Sequence, residues 1–124
     1  MTVTPKEAAE FLKQKAERKQ KETDSLYLKA KADAEKMIQH IIENYSPMKI
    51  YQWGSLLKKE LFREYSDIDI AVEGITEPSL YFKLIGELNS MSSFAIDLVQ
   101  LEKIELLHAE SIIEKGKLVY ERKN

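Results

Sequence analysis

Residues 53–72 read WGSLLKKELFREYSDIDIAV. The final stretch, Ser66–Val72, alternates polar and apolar residues and is β-rich, the pattern of a strand. Side chains alternate across a strand, so Asp67 and Asp69 share one face. Ile68, Ile70 and Val72 point the other way and can fill a core. Aspartate is a poor strand former. Two carboxylates this close repel, and one is expected to keep its proton unless a cation lies between them. Mg²⁺ removes the conflict, because it takes hard oxygen ligands and the phosphates that travel with it. The plainer reading is a half-exposed strand with a solvated polar face.

Working upstream, Met48–Trp53 alternates and reads as a strand. It gives way to Gly54-Ser55 and a predicted short helix over Ser55–Arg63, with Leu56, Leu57, Leu61 and Phe62 for the core. Glycine lets a phosphate come close to the backbone. Free N–H groups at a helix start, with the Ser55 hydroxyl, can hold an anion, although Ser55 is equally an ordinary helix cap. The spacing from Ser55 to Asp67 allows one helix and a return to the sheet. The Gly-Ser turn and the carboxylates then fall at neighbouring strand ends.

Working downstream, Gly74 and Pro78 bracket a turn, and Leu80–Leu88 reads as a helix. Asp97 sits inside the apolar run Phe94–Val99, where a lone carboxylate is costly without a partner or metal. If its strand neighbours that of Asp67 and Asp69, three carboxylates converge. Such a set can hold one or two metal ions and support in-line phosphoryl displacement. The alternative is an aspartate at a sheet edge, facing water. Leu101–Glu114 reads as a helix, Gly116 as its stop, and Leu118–Tyr120 as a last short strand.

The region before this core has no Gly or Pro from Lys6 to Tyr45. Thr4, Pro5 and Glu7 make a helix start with a capping box. An apolar stripe runs through Leu26, Ala30, Ala34, Met37, Ile38, Ile41, Ile42 and Tyr45, weakens around Ala8, Phe11, Leu12 and Ala16, and vanishes over 17–25. One unbroken helix over 5–44 would be about 60 Å long, against a radius of gyration of about 14 Å for a compact domain of this size. Either a break near Thr23-Asp24-Ser25 or a projecting first half is expected, with a second copy or a partner over Phe11 and Leu12. Residues 13–21, KQKAERKQK, are locally basic, which a solvated helix face explains and a phosphate or RNA contact would also use.

Composition sets outer limits. A chain of 124 residues is expected to form one domain, here a helical extension over 1–25 and a core over 26–124. The net charge of −2 gives no overall pull towards nucleic acid. With no cysteine, the chain has no disulfides, thiolate zinc sites or cysteine nucleophiles. No apolar run is long enough for a membrane span, and the N-terminal MTVTPKEAAEFLK lacks the pattern of a signal peptide. A cytoplasmic location is the expectation. The fold class is α+β (α/β-like), a mixed sheet flanked by helices behind a long N-terminal helical extension.

Together, GSLLKKELFREYSDIDIAV and FAIDLVQL resemble the nucleotidyltransferase domain of the DNA polymerase beta superfamily, and more closely its minimal nucleotidyltransferases of the MntA antitoxin type. The likeness covers about residues 34–122, including LEKI and IIEKGKLVYE. It implies Mg²⁺ held by Asp67, Asp69 and Asp97, which are also the catalytic residues, and triphosphate of an NTP, ATP in the first instance, held at Gly54 and Ser55. Asp97 would help to deprotonate the acceptor. The resemblance further implies transfer of AMP to a hydroxyl, as in antitoxins that modify a tyrosine of a helical HEPN-type toxin. The chain departs from the family pattern after Gly-Ser, where an Arg and then a second Gly are common. Leu56 and Lys59 stand there. Lys58, Lys59 and Arg63 are the candidates to supply the missing charge, with Lys58 preferred. A lysine gives a point charge and not the planar fork of arginine. Two other readings stay open: a binding module of the same fold that masks a partner or assembles through its N-terminal helices, and a structural domain with a solvated acidic face. Trp53 or Tyr65 could stack on a base, and His40 and His108 read as surface residues.

Overall fold

The computed structural model describes residues 2–123. Helix α1 spans Pro5–Tyr45 and strand β1 Lys49–Trp53. Strand β2 (Ile68–Glu73), helix α2 (Pro78–Asn89), strand β3 (Ile96–Gln100), helix α3 (Leu106–Lys115) and strand β4 (Lys117–Glu121) follow. The sheet order is β3-β2-β1-β4. β1 pairs antiparallel with β2 and with β4, whereas β2 and β3 are parallel, so the sheet is mixed. The parallel pair needs a crossover, and α2 supplies it. This is the expected α+β architecture.

The two faces of the sheet bury different things. Ile50, Ile68, Ile70, Val72 and Leu98 face one way and meet Ala30, Ala34, Met37 and Ile41 of α1 and Leu84 and Leu88 of α2. Tyr51, Ala71 and Leu101 face the other way and meet Ala109 and Ile112 of α3, with Trp53 and Val99 half-buried beside them. Burying an aliphatic side chain of this kind contributes about 1.5–3 kcal/mol, so the alternation along β1 and β2 fixes the register of the whole sheet. Helix α3 is short, and its contacts reach only part of its face of the sheet. Near the start of β2 Asp69 is half-buried, and near the start of β3 Asp97 is exposed.

Helix α1 is one element of 41 residues. Thr4 caps it, its hydroxyl accepting from the Glu7 N–H at 3.1 Å, and Pro5 takes the first turn. No break occurs at Thr23-Asp24-Ser25. The Thr23 hydroxyl donates back to the Lys19 carbonyl at 3.0 Å, and Gln20 donates to the Asp24 carboxylate at 2.8 Å. These polar residues satisfy one another within the helix instead of ending it. The first half therefore projects: every described residue before Thr23 is exposed, with Phe11 and Leu12 more than half open to solvent.

The predicted helix over Ser55–Arg63 does not form. Two short 3₁₀ turns stand there, Gly54–Leu57 and Lys59–Leu61, separated by Lys58 in an extended conformation. Leu56 and Phe62 are buried as expected, but Leu61 is exposed and Leu57 only half-buried. Phe62 stacks on Tyr27 of α1 with ring centroids 5.5 Å apart, and the Tyr27 hydroxyl donates to the Leu56 carbonyl at 3.1 Å. Bringing both side chains under α1 requires the extended link at Lys58. Similarly, the helix expected from Leu101 starts later, because Leu101–Lys103 is a 3₁₀ turn that buries Leu101 before α3 begins.

Candidate active site

Asp69 lies on the α3 face of β2, and its cross-strand partners set the site. On one side, Asp69 is in register with Asp97 of β3. On the other, it is in register with Trp53, the last residue of β1. Asp67 precedes β2 by one residue and is exposed, as is Asp97, while Asp69 is half-buried. Burial first, then the charges of Asp97 and Asp67, raise the Asp69 carboxyl from its ordinary value to about 7. The carboxylates from the two strands thus feel one another at the open end of the sheet. Asp97 also bears on the Tyr81 hydroxyl of α2, which burial and that charge push upwards and which donates to the Leu98 carbonyl at 2.7 Å.

Gly54 is fixed by this arrangement. Its φ is +80°, in the left-handed region, and a Cβ there would stand 2.0 Å from the Asp69 Oδ2. Only glycine lets the chain turn out of β1 against that carboxylate. Gly54 and Asp69 therefore meet at neighbouring strand ends, the placement that the spacing from Ser55 to Asp67 implies. The helix-start argument for anion binding is weaker than expected, since a single 3₁₀ turn follows Gly54. Backbone N–H groups, the Ser55 hydroxyl and Lys58 are what remain to meet an anion.

The three basic candidates separate. Lys58 lines a groove together with Gly54 and Ser55. Lys59 instead pairs with Asp24 of α1 at 3.5 Å. Arg63 donates to the carbonyls of Glu60 and Phe62 and, with Lys59, lines a cavity under α1. Leu56, at the position where an arginine is common in the resembled family, is buried beneath α1. Of the aromatic candidates, Tyr65 is 80% exposed, while Trp53 lines the groove with His108. Tyr81 was not singled out from the sequence. Its helical setting gave no sign that α2 would bring it near Asp97.

A hard divalent cation fits this donor set in chemistry: oxygen ligands only, on a carboxyl whose own charge is disfavoured until a cation compensates it. Among the described residues, no group of three or more histidine or acidic side chains is close enough together to hold a metal ion, so Asp67, Asp69 and Asp97 are not gathered into the three-carboxylate set that the resemblance implies. Phosphate oxygens and water would have to complete the coordination, as is usual for Mg²⁺. Nor is any described helix long and apolar enough to cross a membrane.

The site thus consists of a small mixed sheet with carboxylates in register on two adjacent parallel strands, next to a glycine turn. The family profile for polymerase beta nucleotidyltransferases matches residues 35–124, and the chain belongs to that family. No curated protein sequence matches it. Among solved structures, a chain of a toxin–antitoxin complex with AMP-PNP is 25% identical, with TM-score 0.62, covering 73% of this chain and 74% of that one. A chain of the MntA–HepT toxin–antitoxin complex is 23% identical, with TM-score 0.58, covering 74% and 73%. A chain from a tri-AMPylated Shewanella oneidensis HEPN toxin in complex with MNT antitoxin is 24% identical, with TM-score 0.57, covering 75% and 73%. The last two likenesses concern the fold.

Proposed function

We propose that the protein transfers a nucleoside monophosphate, AMP in the first instance, from an NTP to a hydroxyl on a partner protein. The observation that carries this reading is the Asp69 carboxylate, set between Asp97 across the sheet and the Gly54 backbone. In this reading Asp67, Asp69 and Asp97 hold Mg²⁺, and Gly54, Ser55 and Lys58 receive the triphosphate. When bound, Mg²⁺ would neutralise phosphate charge and polarise the phosphoryl oxygens. The residues of the chain position the α-phosphorus for in-line attack. A bond forms from the acceptor oxygen to the α-phosphorus, and the bond to the bridging oxygen breaks. Pyrophosphate leaves with that electron pair, and the hydroxyl proton passes to Asp97 or to water.

The AMP-PNP complex and the AMPylated toxin among the structural neighbours support AMP and a helical HEPN-type partner. The exposed Phe11 and Leu12 on the projecting half of α1 offer that partner, or a second copy, an additional surface. A second reading, a binding module without catalysis, is favoured by the burial of Leu56 where the family commonly carries a charged side chain. The test is incubation with ATP radiolabelled at the α-phosphate, Mg²⁺ and the proteins that copurify with the chain. Label on a copurifying protein, lost in Asp69→Asn, is expected. Full masking of a partner by the unlabelled, nucleotide-free protein and by Asp69→Asn alike would establish the second reading instead.

A further inference from the structure

Gly54 meets Asp69, and Gly54 and Ser55 also line a groove of about 600 Å³ between the first 3₁₀ turn and α3. That volume is within the range of small-molecule sites. Trp53, Leu57, Leu61 and Ile112 give the groove apolar surface, and His108 and Ser111 of α3 line it as well. The Trp53 and His108 rings stand at 88° with centroids 6.0 Å apart. The indole N–H of Trp53 is buried and has no hydrogen-bond partner among the described residues. A buried donor without an acceptor is rare and calls for a physical reason.

We infer that this groove seats the base of the nucleotide, with Trp53 as its stacking surface and His108 as its edge, and that it prefers purines. The inference rests on the nucleotidyltransferase reading and adds to it the part of the substrate that the carboxylates do not touch. Trp53 and Asp69 are directly opposed on adjacent strands, about 5 Å apart, so one nucleotide spans both. The groove's polar side chains are Ser55, Lys58, His108, Ser111 and Lys115, and the two lysines suit phosphate oxygens better than a base edge. Stacking on Trp53 grows with ring area, which is larger for a purine and similar for adenine and guanine. ATP and GTP are expected to bind within about threefold of each other, and both about tenfold tighter than CTP or UTP.

Trp53 is the sole tryptophan of the chain, so its fluorescence reports the groove directly. The experiment titrates the full chain in Mg²⁺ with ATP, CTP and inorganic tripolyphosphate, following fluorescence and heat together. ATP is expected to quench Trp53, and tripolyphosphate to bind with heat but without quenching. Ser111→Phe, which fills the groove from α3, is expected to weaken ATP about tenfold and leave tripolyphosphate unchanged; His108→Ala, a milder change, is expected to weaken ATP severalfold. Equal affinity for ATP, CTP and tripolyphosphate with no quenching would overturn the base site and leave the phosphate site standing. Binding of none of them would overturn both.

Discussion

Asp69 concentrates the physical tension of the fold. Its carboxyl is raised to about 7, against an unfolded value near 3.9, by burial and by two like charges. The folded state therefore keeps a proton that the unfolded chain has lost, and this contribution makes stability fall as pH rises from about 4 to about 7, then level off. Asp69→Asn removes the loss. In EDTA the variant is expected to be more stable than the parent at pH 8, by about 1 kcal/mol after discounting for solvent screening, and to lose that advantage towards pH 4. Thermal unfolding at several pH values checks this; a difference independent of pH would contradict it. At this scale the sequence was legible in part. The alternation around Ile68 and Ile70 put Asp69 on the opposite face of β2 from those two, whereas Asp97, costly if buried within FAIDLV, is exposed on the edge strand β3 and so fits the water-facing alternative. The contact of Gly54 with Asp69 was legible only as a spacing, because strand pairing, not local sequence, brings them together.

At the scale of elements, the departures have local causes. Ser55–Arg63 carries leucines and lysines with good helix propensity. Even so, tertiary packing of Leu56 and Phe62 beneath Tyr27 overrides that preference and leaves two 3₁₀ turns. Helix α1 departs in the opposite direction. Compactness argued for a break, yet nothing in its sequence disfavours the helix, and the polar run over 17–25 is satisfied by its own side chains and by solvent. No described residue of α1 before Tyr27 is buried, and the first to pack on the core is Leu26, so the first half of α1 adds little to the stability of the core. Removal of residues 2–22 is expected to change Tm by less than about 3 °C, as surface changes do. Differential scanning calorimetry of the truncated chain measures this. A fall of more than about 10 °C would mean that the projecting half folds back on the domain.

Across the whole molecule, the open edge of the sheet runs from Asp97 on β3 through Asp69 on β2 to Trp53 and Gly54 at the end of β1. The same end is crossed by α1, whose Asp24 and Tyr27 contact Lys59 and Leu56. Residues 5–22 then continue past it for roughly 27 Å. The projecting arm and the candidate active site thus share one end of the protein, and a partner bound along the arm would lie near the reacting edge. In the proposed mechanism, carboxylates from β2 and β3 share one cation in the presence of nucleotide. Electron paramagnetic resonance of Mn²⁺, titrated into the protein with AMP-PNP, tests it most directly. A bound Mn²⁺ signal is expected in the parent protein, and at least about tenfold weaker binding in Asp97→Asn. Undiminished Mn²⁺ affinity in that variant would contradict it.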